Sequence, residues 1–278
     1  MSLPRPVTLA GVDGLLAIIA TPDRALVAFD FDGTLSPIVD EPASARPHPD
    51  APALLRRLAQ TVGTVAIVTG RPAAAAADML GLIDDPPPAN LLIVGQYGYE
   101  TWTPSAGVVP AVEFDAGGVD EVRAALPRLL HELGAPDGTI VEDKGVALAV
   151  HVRRTADPDA AMALLTEPLA TLADEHRMRL EPGRLVLELR PALVDKGMAL
   201  TSIAHAADAR AVCYVGDDLG DLAAFDVLDR LRSEGRATLE ICSGSAEVTE
   251  LAARADLVVD GPGGVVSWIK DLIEEISR

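Results

Sequence analysis

With 278 residues the chain has room for one large domain or two modest ones, and at 49% hydrophobic and 23% charged it can build a packed core. Its formal charge of −19, from 42 acids against 23 lysines and arginines, argues against a nucleic-acid or anionic-membrane surface. That charge leaves room for one small phosphorylated ligand held in a local positive pocket.

The first predicted element is a helix within "GVDGLLAIIATPDR". Asp13 interrupts its apolar stretch and only Arg5 precedes it, so a helix is favoured over a secretory leader. No apolar run approaches membrane-spanning length, and the chain reads as a soluble cytoplasmic protein. Six short apolar runs follow: "ALVAF", "TVAIVT", "NLLIVG", "AVCYVG", "ATLEIC" and "DLVVD". Most lack alternation, which predicts central strands covered on both faces. Cys213 and Cys242 lie in such runs and read as buried core residues rather than a disulfide or a zinc site. Helices are predicted between the runs: "PDAPALLRRLAQ" starting at Pro49 and Asp50, "RPAAAAADML" opening on Pro72, "DKGMALTSIAHAA" and "LGDLAAFDVLDRLRSE". Strand and helix alternating in this way predict an α/β fold with a doubly wound, Rossmann-like parallel sheet.

The middle of the chain breaks that rhythm. From about Val109 to Arg190 the order is helix, two strands, helix, two strands, with Lys144-Gly145 and Gly183 as the turns of two hairpins. This αββαββ pattern predicts an inserted α+β domain over residues 109–190, between core segments 1–108 and 191–278. "TWTPSAGVVPA" and "RPALVDKG" are read as its two linkers.

Ligands of a doubly wound sheet bind at the carboxyl ends of its strands. The residues expected to meet there are Asp30 and Asp32 of "DFDG", Thr69-Gly70-Arg71, Lys196, and Asp217, Asp218 and Asp221 of "GDDLGD". Five crowded acids repel unless a cation neutralises them, and hard oxygen ligands suggest Mg²⁺. Thr69 and Lys196 suit a phosphate, although Thr69 is also placed to cap the next helix. Asp218 and Asp221 can equally be solvated acids at a helix start. No P-loop is present. Of the two acids in "DFDG", one can attack phosphorus while the other gives and takes a proton.

"DFDGTLSPI", "VTGR", "DKG" and "GDDLGD", in this order, resemble the four motifs of the haloacid dehalogenase superfamily of phosphatases. "GQYGYE", "VEDKGVALAVHVR" and "LELRPALVDKG" make the chain similar, within that superfamily, to the trehalose-6-phosphate phosphatase family. The resemblance implies a haloacid dehalogenase-type core with a substrate-specificity cap. It implies Mg²⁺-dependent hydrolysis of trehalose 6-phosphate, the last step of trehalose biosynthesis, through an aspartyl phosphate. Asp30 is then the nucleophile and Asp32 the general acid/base. The metal would be held by Asp30, the Asp32 carbonyl and Asp217, with Asp218 and Asp221 direct or one layer out. Thr69 and Lys196 would hold phosphoryl oxygens with Arg71 nearby, and Glu142, Lys144, Arg153 and Glu188 would grip the disaccharide. A monomer is expected, acting on a small sugar phosphate with no nucleic-acid or membrane partner. Another sugar-phosphate phosphatase, a phosphomutase, or a silent sugar-phosphate-sensing module are the alternatives.

Overall fold

The computed structural model describes residues 3–39, 44–110, 118–183, 185–191, 195–244 and 249–278. Its contacts divide the chain into two units, Met1–Pro110 with Asp195–Arg278, and Ala111–Val194. Among the described residues, no helix is long and apolar enough to cross a membrane.

The first unit opens with α1 (Leu9–Ala20), whose start is capped by Thr8 accepting from the Gly11 N–H at 2.9 Å. There follow β1 (Ala25–Phe29), α2 (Ala51–Ala59), β2 (Thr64–Val68), α3 (Ala73–Met79), β3 (Leu91–Gly95), β4 (Glu100–Thr103) and β5 (Gly107–Pro110). The second unit supplies α4 (Val119–Glu132), β6 (Ile140–Asp143), β7 (Leu148–His151), α5 (Pro158–Glu175), β8 (Met178–Gly183) and β9 (Val186–Pro191). The chain then returns to the first unit with α6 (Lys196–Ala206), β10 (Ala211–Gly216), α7 (Leu222–Ser233), β11 (Ala237–Gly244), α8 (Thr249–Arg254), β12 (Leu257–Asp260) and α9 (Gly261–Ile276).

The central sheet has the order β12-β11-β10-β1-β2-β3-β4-β5. The six predicted strands pair in parallel, while β4 and β5 are antiparallel. Alternate residues of β1 serve two cores. Val27 and Phe29 pack with Ile18, Leu55 and Trp268 on one face, and Leu26 and Ala28 pack with Leu200, Phe225 and Leu228 on the other. Burial on both faces is why the runs are continuous rather than alternating.

In the second unit the sheet order is β6-β7-β9-β8, all antiparallel. Leu148, Val150, Leu187 and Leu189 pack against Val122, Leu126, Leu165 and Leu169 of α4 and α5. The fold is therefore α/β with a mainly parallel sheet, plus a separate α+β unit.

Two sequence expectations need correction. "TWTPSAGVVPA" is not a linker over its described length: it forms the β4–β5 hairpin, anchored by Trp102 in the core. Gly183 is not itself in a turn, because it pairs with Val186 as the last residue of β8. Ala111 and residues 192–194 of the predicted connections lie outside the described residues.

Candidate active site

Strands β1 and β10 are neighbours, and each ends in acid. Asp30 follows β1, its N–H donating to the Val215 carbonyl at 2.8 Å, and Asp217 follows β10. Between them lies Gly33, at φ 82°, where a β-carbon would overlap the Asp217 carboxylate. Glycine is thus required twice here, for the left-handed turn and for the approach of the two motifs. Asp30 and Asp217 are both buried, at 4% and 3% exposure.

Lys196 enters from the first turn of α6, whose start is capped by Asp195 accepting from the Met198 N–H at 2.8 Å. Its Nζ lies 2.9 Å from Asp30 Oδ1 and 2.7 Å from Asp221 Oδ1. Asp221 is fully buried and fully engaged. Its Oδ1 also accepts from the Tyr214 hydroxyl at 2.7 Å, and its Oδ2 accepts from the Asp217 and Asp218 N–H groups at 2.9 and 3.2 Å. Tyr214 is absent from the sequence reading because it sits within the apolar run "AVCYVG" and reads as core. Asp218 is exposed and caps the following turn, accepting from the Gly220 N–H at 2.9 Å.

These positions set the electrostatics. Burial pushes the Asp30 carboxyl up to about 8, against the pull of Lys196 and with the repulsion of Asp221. Burial, then repulsion from Asp30 and Asp221, pushes Asp217 up to about 10. Burial alone would lower Lys196, but Asp221 and Asp30 hold it well above the usual lysine range. Asp221 is kept below the usual carboxylate range despite its burial, because Lys196, Tyr214 and a backbone N–H all favour its charged form.

Asp30, Asp217 and Asp221 can each bring one carboxylate oxygen within 4.8 Å of the others. Among the described residues, Lys196 is the one cation standing among these buried acids, and burial and mutual repulsion push two of them far up. A hard divalent cation fits that donor set. Asp218 lies outside the grouping.

Thr69 and Arg71 lie beyond the end of β2, next to β1. Thr69 does not cap α3, whose N-cap position is Pro72. Its Oγ1 instead accepts from the Arg71 N–H at 3.1 Å. Arg71 forks onto Asp32, with its guanidinium 5.5 Å from the Phe31 ring centre. The loop Gln96–Glu100 backs this segment: Gln96 N–H donates to the Arg71 carbonyl, Tyr97 N–H to the Thr69 carbonyl, and Glu100 Oε1 accepts from the Ala73 N–H.

In the second unit, strand register aligns Glu142, Ala149, Glu188 and Glu181 in one row across all four strands. Their side chains point away from α4 and α5, since the alternate residues fill the core. Glu188 is buried and pairs with Lys144 at 3.2 Å. Arg153 is half-buried just past β7. The sequence did not single out as site residues Glu181 of this row, its partner Arg190 at 2.9 Å, or His151, whose Nε2 lies 2.9 Å from Glu142 Oε2. Their only sequence signal was charge on otherwise apolar strands.

A family model described as Trehalose-phosphatase matches residues 28–260. The trehalose-phosphate phosphatase of Mycolicibacterium paratuberculosis is 31% identical over 96% of this chain and 66% of its own. That of Mycobacterium marinum is 32% identical over 92% of this chain and 63% of its own. The chain thus spans slightly less than two thirds of the length of these curated relatives. Among solved structures, the Candida albicans trehalose-6-phosphate phosphatase C-terminal domain superposes with a TM-score of 0.76 at 24% identity, covering 98% of this chain and 99% of that one. Aspergillus fumigatus trehalose-6-phosphate phosphatase gives a TM-score of 0.66 at 25% identity, with 98% and 99% coverage.

Proposed function

This chain belongs to the trehalose-phosphatase family, and on that premise we propose that it hydrolyses trehalose 6-phosphate to trehalose and phosphate with Mg²⁺ as cofactor, closing trehalose biosynthesis. The observation that carries the reading is Asp30: a buried carboxylate 2.9 Å from the Lys196 ammonium and grouped with Asp217.

Asp30 attacks phosphorus, the bond to the sugar oxygen breaks, and an aspartyl phosphate forms. Asp32 gives a proton to the departing sugar oxygen and later takes one from the water that cleaves the acyl phosphate. Lys196 and the Thr69 hydroxyl hold phosphoryl oxygens, and Arg71 meets the same anion. Asp221 keeps the ammonium aimed at Asp30. Mg²⁺, held by Asp30, Asp217 and the Asp32 backbone carbonyl, would supply positive charge against the phosphoryl oxygens and relieve the repulsion between the acids. Glu142, Lys144, Arg153 and Glu188 of the second unit are assigned to the sugar hydroxyls, where paired acceptors and donors are needed.

Phosphate release from a panel of sugar phosphates, with and without Mg²⁺, tests the proposal. Trehalose 6-phosphate should be cleaved fastest, EDTA should abolish turnover, and Mg²⁺ should restore it. Equal cleavage of all hexose phosphates would overturn the substrate, and full activity after metal stripping would overturn the cofactor.

A further inference from the structure

Gln96 and Tyr97 are consecutive non-glycine residues with left-handed backbones, at φ 50° and 61°. L-residues with side chains adopt this conformation at a cost, and tyrosine is not among the short polar residues, such as asparagine, that favour it. The turn they form follows β3 and is tied to the Thr69–Ala73 segment at several points. Tyr97 N–H donates to the Thr69 carbonyl and Gln96 N–H to the Arg71 carbonyl, both at 3.0 Å. Glu100 Oε1 accepts from the Ala73 N–H at 2.6 Å. The Tyr97 ring lies over Gly70, where a β-carbon would come 2.6 Å from Cζ and from the hydroxyl oxygen. Thr69, Gly70, Arg71 and Ala73 are each touched by this one loop.

The Thr69 and Arg71 side chains can face one phosphoryl group only if the backbone between them is fixed. Proline at 72 restricts Arg71 from its other side. Left-handed residues persist where their surroundings over-determine them, and such places cluster at functional sites. We propose that Tyr97 is a positioning residue, its strained turn and its ring together clamping Thr69-Gly70-Arg71 in the geometry that receives the phosphoryl group. The inference rests on the reading of Thr69 and Arg71 as phosphoryl-handling residues.

Glycine at position 97 separates positioning from stability. Glycine adopts a positive φ freely, so Tyr97→Gly removes the ring while relieving the backbone. The expected result is a melting temperature no more than slightly changed, with kcat lowered about ten- to a hundredfold, since small misplacements of binding groups have effects of that order. Trehalose 6-phosphate and an aryl phosphate should suffer alike, because the turn acts on the group they share. Tyr97→Phe keeps the ring and should retain most of the turnover. Gly70→Ala pushes a methyl into the ring and should lower kcat with Tyr97 present, and less so in combination with Tyr97→Gly.

A Tyr97→Gly protein with unchanged kcat and KM, beside an active wild type, overturns this inference alone. So does a loss confined to the sugar substrate, or a Tyr97→Phe loss equal to that of the glycine variant. If Tyr97→Gly does not fold, the Gly70→Ala kinetics decide: full activity there overturns the clamp. A wild type inactive on both esters overturns the reading of the site, and this inference with it.

Discussion

Arg71 grips both carboxylate oxygens of Asp32, Nε to Oδ2 at 2.6 Å and Nη2 to Oδ1 at 2.7 Å. On the proposed reading, a bound phosphate is an anion of matching geometry that competes with Asp32 for the guanidinium.

Arg71→Ala should therefore raise KM about tenfold for sugar and aryl phosphates alike, with a smaller effect on kcat, as expected for lost ground-state binding. Arg71→Lys should not rescue it, because an ammonium cannot reproduce the fork. Steady-state kinetics on both substrates check this; a fall in kcat with KM unchanged would place Arg71 in the transition state instead. Asp32→Asn should slow the sugar ester more than the aryl ester, whose leaving group departs without a proton.

Asp217 and Asp221 should respond oppositely to amide substitution. Asp217 is a buried acid pushed up to about 10 by burial and Asp30, so Asp217→Asn should leave the metal-free protein at least as stable while abolishing Mg²⁺ binding. Asp221→Asn deprives buried Lys196 of a close partner, and breaking a buried pair costs about 3–5 kcal/mol. Calorimetric melts and Mg²⁺ titration separate the two; equal melting temperatures would contradict the anchoring role of Asp221.

Glu142→Ala should cut kcat/KM for trehalose 6-phosphate by about ten- to a hundredfold, the size of a lost hydrogen bond to a charged group. An aryl phosphate offers no sugar hydroxyls and should be hydrolysed as before. Equal losses on both would mean that Glu142, with its His151 partner, supports the second unit rather than reading sugar.

Glu240 gives the protein a pH dependence of its own. It is buried in β11, its Oε1 has no hydrogen-bond partner among the described residues, and burial, then Asp229, pushes its carboxyl up to about 8. Unfolded, the group titrates near 4.5. Between those values the folded state holds the extra proton, so stability falls as pH rises through the window. Glu240→Gln should flatten that slope in urea melts from pH about 5 to about 9. An unchanged slope would show that Glu240 does not carry it.

The strands were readable because a sheet buried on both faces leaves unbroken apolar runs, and the site was readable because those runs end in acid. The β4–β5 hairpin was hidden: its strands are short, and it is held by the packing of Trp102. Tyr214 was hidden by its setting, since its ring is core and only its hydroxyl reaches Asp221. The engagement of Asp221 arises from contacts with Lys196, distant in sequence, and with backbone N–H groups, which no motif spacing announces. The Tyr97 turn could be quoted as a motif, but its purpose depends on backbone angles.

The neighbours of β1 are β2, which follows soon after it, and β10, which is synthesised only after the whole Ala111–Val194 unit. On the ribosome, the inserted unit has all four of its strands before the central sheet has both flanks of its first one. A nascent chain therefore carries β1 with a bare apolar edge throughout that interval, which is a template for pairing with other chains. Asp30 and Asp217 also stay apart until β10 docks, so their repulsion falls on that docking step. Translation that stops before Ala211 leaves β1 unpaired on one flank and Asp30 without Asp217 beside it.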